Sequence, residues 1–128
     1  MTTENEFTYQ PGICNIDRKG VEVRKKLGYL CILGFVIELV LQHFIEMGPV
    51  IRFAVGGVFG YIIAINFLQA REQFCVMNAA KNTYEVGLRK VFIGNSPKRG
   101  LDQKKMRSMI TRCLCFSLIG GAVALIPL

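Results

Sequence analysis

Apolar residues fall into three long runs along this chain, and most of the charged residues are gathered between them. The runs cover residues 27–45, 49–70 and 110–128. Each is close to the roughly 20 helical residues needed to cross a bilayer core of about 30 Å. The runs are apolar almost all round, whereas a helix of a soluble bundle alternates apolar and charged faces. The pattern therefore favours membrane spans.

The three runs predict an all-α integral membrane protein with three transmembrane helices. Helices 1 and 2 form a tight hairpin, because only residues 46–48 separate them. Residues 1–26 form a polar N-terminal segment that begins as a surface tail, and residues 71–109 form a long link before helix 3. Only 16 residues follow Arg112, so helix 3 is expected either to span the bilayer or to be half-inserted.

The link is expected to have three parts. Residues 69–82 continue helix 2 as an amphipathic helix, with Phe74 and Met77 on its apolar side. The Gly, Asn, Ser and Pro content of residues 94–100 predicts a loop. A basic helix then leads from Leu101 into helix 3, and Asp102 near its start complements the helix dipole.

Composition supports the membrane assignment and sets an orientation. The 128 residues are 52% hydrophobic with a mean hydropathy of +0.37, which argues against a disordered chain. The net charge of +7 is concentrated in the N-terminal segment and the link. Positively charged short segments stay cytoplasmic. We therefore expect a multi-pass membrane protein with its N-terminus and link inside and its C-terminus outside. Basic residues are not interleaved with aromatic ones, so no nucleic acid partner is expected.

The basic cluster of the link has two readings that the sequence leaves open. It orients the protein and adheres to the anionic lipid surface, or it forms a docking site for a lipid headgroup or a partner. Its members are Lys98, Arg99, Lys104, Lys105 and Arg107.

Polar residues within the apolar runs are the main candidates for a functional site. Glu38 lies near the middle of helix 1, where a charge costs roughly 2.5 to 3.5 kcal/mol. At helical spacing it shares a polar stripe with Gln42, and Arg52 is offset from it by about 7 Å along the hairpin. The stripe serves either to lock helices together or to carry an ion or proton. The candidates are Glu38, Gln42, His43, Arg52 and Asn66, with Asn66 expected to hydrogen-bond between helices.

Small residues at four-residue intervals predict close helix packing. Such ridges let two helix backbones approach each other in a membrane. Helix 2 contributes Gly56, Gly60 and Ala64, and helix 3 contributes Gly120, Gly121 and Ala124. The partner helix is either in the same chain or in another one. Because three spans enclose little interior, we expect a homo-oligomer or a subunit of a larger membrane complex.

The sequence carries no catalytic, metal or cofactor motif. His43 is the single histidine, and the five cysteines lack the C-x-x-C spacing of a metal site. His43 and Cys31 lie about three turns apart on one helix, which does not assemble a catalytic group. We therefore expect five reduced cysteines and a protein without enzymatic activity.

A short N-terminal stretch resembles a known type of membrane protein. Cys14-Asn15-Ile16-Asp17-Arg18, followed by Arg24 and Gly28 before an apolar span, is similar to the start of small uncharacterised bacterial inner-membrane proteins of the family found fused to rhodanese domains. The likeness covers about 15 residues and brings no active residue with it. The third span and the basic link depart from that family. The resemblance implies a bacterial inner membrane.

Two functions fit these features. The first is a non-enzymatic scaffold or accessory subunit that associates with itself or with a membrane complex and presents a basic cytoplasmic face to lipid or a partner. The alternative is a small oligomeric ion or proton channel or carrier that uses the stripe around Glu38.

Overall fold

Three long helices account for most of the fold. The computed structural model describes residues 8–87, 89–94 and 96–127. Residues 1–7 of the predicted N-terminal segment and Leu128 of the predicted third span lie outside that part. In chain order the elements are α1 (Arg18–Leu41), α2 (Pro49–Glu72), α3 (Val76–Ala80), β1 (Thr83–Val86), β2 (Arg89–Phe92) and α4 (Ser96–Ala124).

Helix α2 is central, and α4 packs on it at very short range. A Cβ atom added to Gly56 would lie 2.5 Å from the Ala124 Cβ, and one added to Gly60 would lie 2.6 Å from the Phe116 carbonyl oxygen. The Ser117 hydroxyl donates to the Gly57 carbonyl at 2.9 Å. The two backbones therefore touch where the sequence has its small residues.

Helix α1 packs on α2 through aromatic rings. Phe35 stacks on Phe59 with ring centroids 5.5 Å apart, and Tyr29 meets Phe67 edge to face at 5.2 Å. The Phe67 ring also lies over Gly28, where an added Cβ would be 2.8 Å from it. A side chain at Gly28 would thus displace the ring that joins the two helices.

The bounds of α1 differ from the predicted span over residues 27–45. The helix begins at Arg18, because the Asp17 side chain caps it by accepting from the Gly20 N–H at 3.0 Å. It ends at Leu41, and the turn to α2 occupies residues 42–48. The basic residues placed in a separate N-terminal segment are therefore the first turns of the same helix.

The predicted helix over residues 69–82 is wrong. Helix α2 ends at Glu72 because Gln73 adopts a left-handed conformation, with φ 52° and ψ 40°. The chain then reverses, and Phe74 becomes completely buried. The short helix α3 follows. Phe74 thus belongs to a packed core rather than to the apolar side of a surface helix.

The β-hairpin was not expected, and α4 begins earlier than predicted. Strands β1 and β2 pair antiparallel with Tyr84 opposite Val91, and strands of four residues leave too little alternation to be recognised. Helix α4 begins at Ser96, so the loop expected over 94–100 is wrong. Pro97 lies in the first turn, where its missing N–H removes no hydrogen bond. Asp102 is consequently one turn further into the helix than expected.

The described residues 8–12, which were expected to belong to a surface tail, are docked on α4. The Tyr9 hydroxyl and the Gly12 N–H both donate to the Asp102 carboxylate, which is 1% exposed. Residues 8–17, 73–87, 89–94 and the first turns of α4 together form a compact unit, here called the head. Its apolar core contains Phe74, Ala79 and Met109.

Two described helices are long and apolar enough to cross a membrane, Pro49–Glu72 and Pro97–Ala124. Helix α1 does not meet the same criterion. Its apolar part within the helix is residues 27–41, about 22 Å long at roughly 1.5 Å per residue, and it contains Glu38. Of the three predicted spans, the first is therefore the one without a matching helix.

Candidate functional site

The helix ends opposite the head meet around a small cleft of about 180 Å³, here called the far-end cleft. Its polar residues come from the end of α1 and the first turn of α2, and its apolar wall includes the chain after α4. The lining residues are Leu39, Gln42, His43, Arg52, Ile126 and Pro127. Three of the sequence candidates are thus brought together here.

Hydrogen bonds connect Glu38 to Arg52 through Gln42. The Gln42 side-chain amide donates to Glu38 Oε1, and Gln42 Oε1 accepts from Arg52 Nε at 3.0 Å. Arg52 Nη2 also donates to the Ile126 carbonyl at 3.5 Å. The carboxylate and the guanidinium are therefore bridged by an amide and form no direct ion pair in the described residues.

The local structure explains this arrangement. Glu38 and Gln42 are one turn apart at the end of α1, so their side chains share a face. Helix α2 starts at Pro49, which places Arg52 in its first turn. One oxygen of the cluster, Glu38 Oε2, is buried without a hydrogen-bond partner in the described part of the chain.

The other two polar candidates are less involved. His43 lines the far-end cleft and is exposed, with no side-chain hydrogen bond within the described ranges. Asn66 is 9% exposed, and its amide donates to the Ile62 carbonyl at 2.8 Å. The interhelical hydrogen bond expected of Asn66 is therefore wrong, because the amide bonds to its own helix.

The small residues predicted for helix packing are used within the chain. Gly120 lies against Gly56 and Gly60, and the Phe53 ring covers Gly121 at 2.8 Å from an added Cβ. Ala124 is completely buried, whereas Ala64 is only half-buried. The internal partner left open by the sequence is thus helix α4. Use of these residues between chains stays a prediction.

The basic cluster of the link is divided by the fold. Lys105 is ion-paired with Glu72 at the end of α2. Arg99 donates to the Ile93 carbonyl at 3.0 Å and lies 5.1 Å from the Phe92 ring centroid. Lys105 therefore joins α4 to the end of α2, and Arg99 joins the start of α4 to β2 and the residue after it.

The remaining three cations of the cluster lie at the surface. Lys104 and Arg107 are exposed, and Lys98 lines an open groove beside the stacked rings of Tyr9 and Tyr84. Contact of Lys104 and Arg107 with a lipid surface or a partner stays a prediction.

A buried polar network between α1 and the head was missed by sequence reasoning. Arg24 lies 3.5 Å from the Glu85 carboxylate and 3.2 Å from Cys75 Sγ, and the Arg24 and Glu85 side chains are only 15% and 5% exposed. Asn78 donates to the same carboxylate at 3.3 Å. Burial by itself lowers the pKa of Arg24, but Cys75 and Glu85 outweigh it and raise that pKa.

No sequence signal marks this network, because Arg24 stands in a run of three basic residues that resembles a membrane flank. Its acidic partner is 61 positions away. All five cysteines are free thiols. Within the described ranges no group of three or more His, Cys, Asp or Glu is placed to hold a metal ion.

Comparisons with protein-family models, with curated protein sequences and with solved structures find no match to this chain. The resemblance of the N-terminal residues to the rhodanese-associated membrane family therefore stays a prediction.

Proposed function

We propose that this chain is a small integral membrane protein without enzymatic activity, which acts as a scaffold or accessory subunit of a membrane complex. The observation that carries the proposal is the exposure of the helices. In the most apolar windows of α2 and α4 only 17% and 22% of the residues are buried. The core helix of a soluble protein buries most of its apolar residues, whereas a membrane helix exposes them to lipid.

The same reasoning extends to α1 as a third, shorter span. Its outward residues are large and apolar, including Leu30, Leu33 and Val36 at 62%, 56% and 51% exposure. Water is a poor solvent for such a continuous surface. A short apolar length is accommodated by local thinning of the bilayer or by basic side chains that extend to the interface.

The orientation in this proposal follows from the placement of charge. All lysines and arginines except Arg52 lie in the head, at its side of α1 and α2, or along α4 up to Arg112. Short positively charged segments are retained in the cytoplasm. The head is therefore proposed to face the cytoplasm of a bacterial cell, with the far-end cleft on the opposite side.

Membrane insertion is tested by alkaline carbonate extraction of cells that express the full chain. We expect the protein in the washed membrane pellet. Val58→Lys places a charge on the exposed face of α2 and should move much of the protein out of that pellet, whereas Val86→Lys on the head surface should not. A monodisperse wild-type particle in detergent-free buffer contradicts the proposal.

The scaffold role is tested by native mass spectrometry after gentle detergent extraction. We expect either a defined homo-oligomer or a constant companion polypeptide, because an accessory subunit acts through other chains. A strictly monomeric chain without companions contradicts this part of the proposal.

A small proton or ion channel is the second candidate. It is favoured by Glu38 Oε2, which has no hydrogen-bond partner among the described residues. An intramembrane carboxyl group linked to Arg52 through Gln42 resembles the relays that conduct protons. The test is proton flux into liposomes that contain the full chain. Glu38→Gln keeps the size of the side chain and should abolish the flux, and unchanged flux in that variant contradicts the channel.

A further inference from the structure

The far-end cleft combines a cation with an apolar wall. Arg52 is half-buried, and both of its hydrogen-bond acceptors are uncharged, namely the Gln42 amide oxygen and the Ile126 carbonyl. No carboxylate lies within ion-pair distance of its guanidinium in the part of the chain that the structure describes. Among the described residues, the neighbours that orient this positive charge are uncharged.

The position of the cleft along α2 and the residues of its walls restrict which ligands can bind there. Arg52 lies in the first turn of α2, about 5 Å from the start of that helix at roughly 1.5 Å per residue. If α2 crosses a membrane, the Arg52 Cα lies near one surface of the hydrocarbon core, and the long arginine side chain reaches the lipid phosphates by extending toward that surface. Leu39, Ile126 and Pro127 form an apolar side of the same cleft, beside its polar side of Gln42, His43 and Arg52. A phospholipid has the same combination, a charged phosphate next to carbon chains.

We propose that the far-end cleft binds one membrane phospholipid, with the lipid phosphate on the Arg52 guanidinium and the start of the acyl chains against Ile126 and Pro127. Arginine suits this ligand because its N–H groups form charge-assisted hydrogen bonds with two phosphate oxygens. The positive end of the α2 dipole strengthens the attraction. This inference rests on the proposed membrane insertion and adds a specific lipid site on the face away from the basic head.

The test uses the full chain in a neutral maltoside detergent. Native mass spectrometry follows the binding of phosphatidylglycerol to the wild type, to Arg52→Gln and to Arg52→Lys. We expect one tightly retained lipid in the wild type, at least tenfold weaker binding in Arg52→Gln, and an intermediate loss in Arg52→Lys. Lys104→Gln, which removes an exposed cation of the head, is the matched control and should keep the tight site.

A second variant covers the case in which Arg52→Gln fails to fold. Ile126 is 54% exposed, so Ile126→Glu should fold and place a carboxylate beside the guanidinium, which displaces the lipid while Arg52 is retained. Circular dichroism of each variant reports whether the helices are intact. Wild-type lipid affinity in folded Arg52→Gln or in Ile126→Glu overturns the inference.

Two further experiments distinguish a lipid phosphate from a free phosphate ion, and failure of this inference from failure of the proposed function. Inorganic phosphate at equal concentration should leave the lipid bound, and complete displacement would show a site for a free anion and overturn the lipid site. Carbonate extraction is run in parallel on the wild type and Arg52→Gln. If the wild type and Arg52→Gln both remain in the membrane pellet but the expected difference in lipid binding is not seen, this inference alone is contradicted. Loss of the wild type from the pellet contradicts the proposed function as well.

Discussion

The Asn15 side chain and the Cys75 backbone hydrogen-bond to each other in both directions. Asn15 Nδ2 donates to the Cys75 carbonyl at 3.1 Å, and Asn15 Oδ1 accepts from the Cys75 N–H at 2.6 Å. Asn15 is completely buried, and its own N–H donates to the Gln73 carbonyl at 3.0 Å. One amide thus satisfies the backbone just after α2 and, within the head, joins residues 8–17 to the segment that follows α2.

Asn15→Ala should lower the free energy of unfolding by about 2 to 4 kcal/mol, because two buried backbone groups lose their partners. The measurement is denaturant or thermal unfolding of the full chain in detergent, followed by circular dichroism. Gln103→Ala, on the half-exposed side of α4, is the control and should change stability by less than about 0.5 kcal/mol. Equal stability of the two variants would contradict the role assigned to Asn15.

Gly56→Ala should destabilise the contact between α2 and α4 by about 1 to 3 kcal/mol, because the added Cβ would lie 2.5 Å from the Ala124 Cβ. Gly100→Ala is the matched control. It lies in the first turns of α4 with no atom within 4 Å of an added Cβ, so it should raise stability by up to about 1 kcal/mol. Thermal unfolding in detergent compares the two, and a stabilised Gly56→Ala would show that α2 and α4 are further apart.

Glu72→Gln should lower the free energy of unfolding by about 1 to 2 kcal/mol. The Glu72 side chain is only 20% exposed and forms ion pairs with both Lys105 and Arg112 of α4. Glu22→Gln is the control. It removes the exposed ion pair with Arg18 and should lower the free energy of unfolding by less than about 0.5 kcal/mol. The difference between the two variants, measured by denaturant unfolding at low salt, isolates the effect of the partly buried network. No difference would mean that the Glu72 cluster contributes nothing.

Comparison of the wild type with Tyr9→Phe should show that the Tyr9 hydroxyl stabilises the fold at neutral pH and that this stabilisation disappears at high pH. Burial and the adjacent Asp102 carboxylate raise the pKa of the Tyr9 hydroxyl above its usual value of about 10. A raised pKa in the folded state gives stability that is complete below the unfolded pKa and is lost as the pH rises toward the folded one. The wild type should be about 1 kcal/mol more stable than Tyr9→Phe at pH 8, and the gap should narrow above pH 10.

Thermal unfolding of both proteins at pH 8 and pH 11 measures this change. A gap that stays constant over that range would mean that the Tyr9 hydroxyl is not bonded to Asp102.

The sequence by itself determined the long helices and the residues at which they approach each other. Long continuous apolar runs predict helices from local sequence alone. Glycines such as Gly56 and Gly120 predict close helix packing, whichever helix is the partner. The Glu38 stripe was also visible, since Glu38, Gln42 and the hairpin turn are near one another along the chain.

Only the tertiary structure decided how the polar segments fold. Asn15 with Cys75, and Arg24 with Glu85, are pairs about 60 positions apart, and neither partner carries a local pattern that selects the other. The end of α2 at Gln73 and the four-residue strands depend on these contacts rather than on periodicity. The periodicity of a sequence predicts a single helix or strand. A buried polar pair forms only when distant elements pack against each other, so periodicity does not predict it.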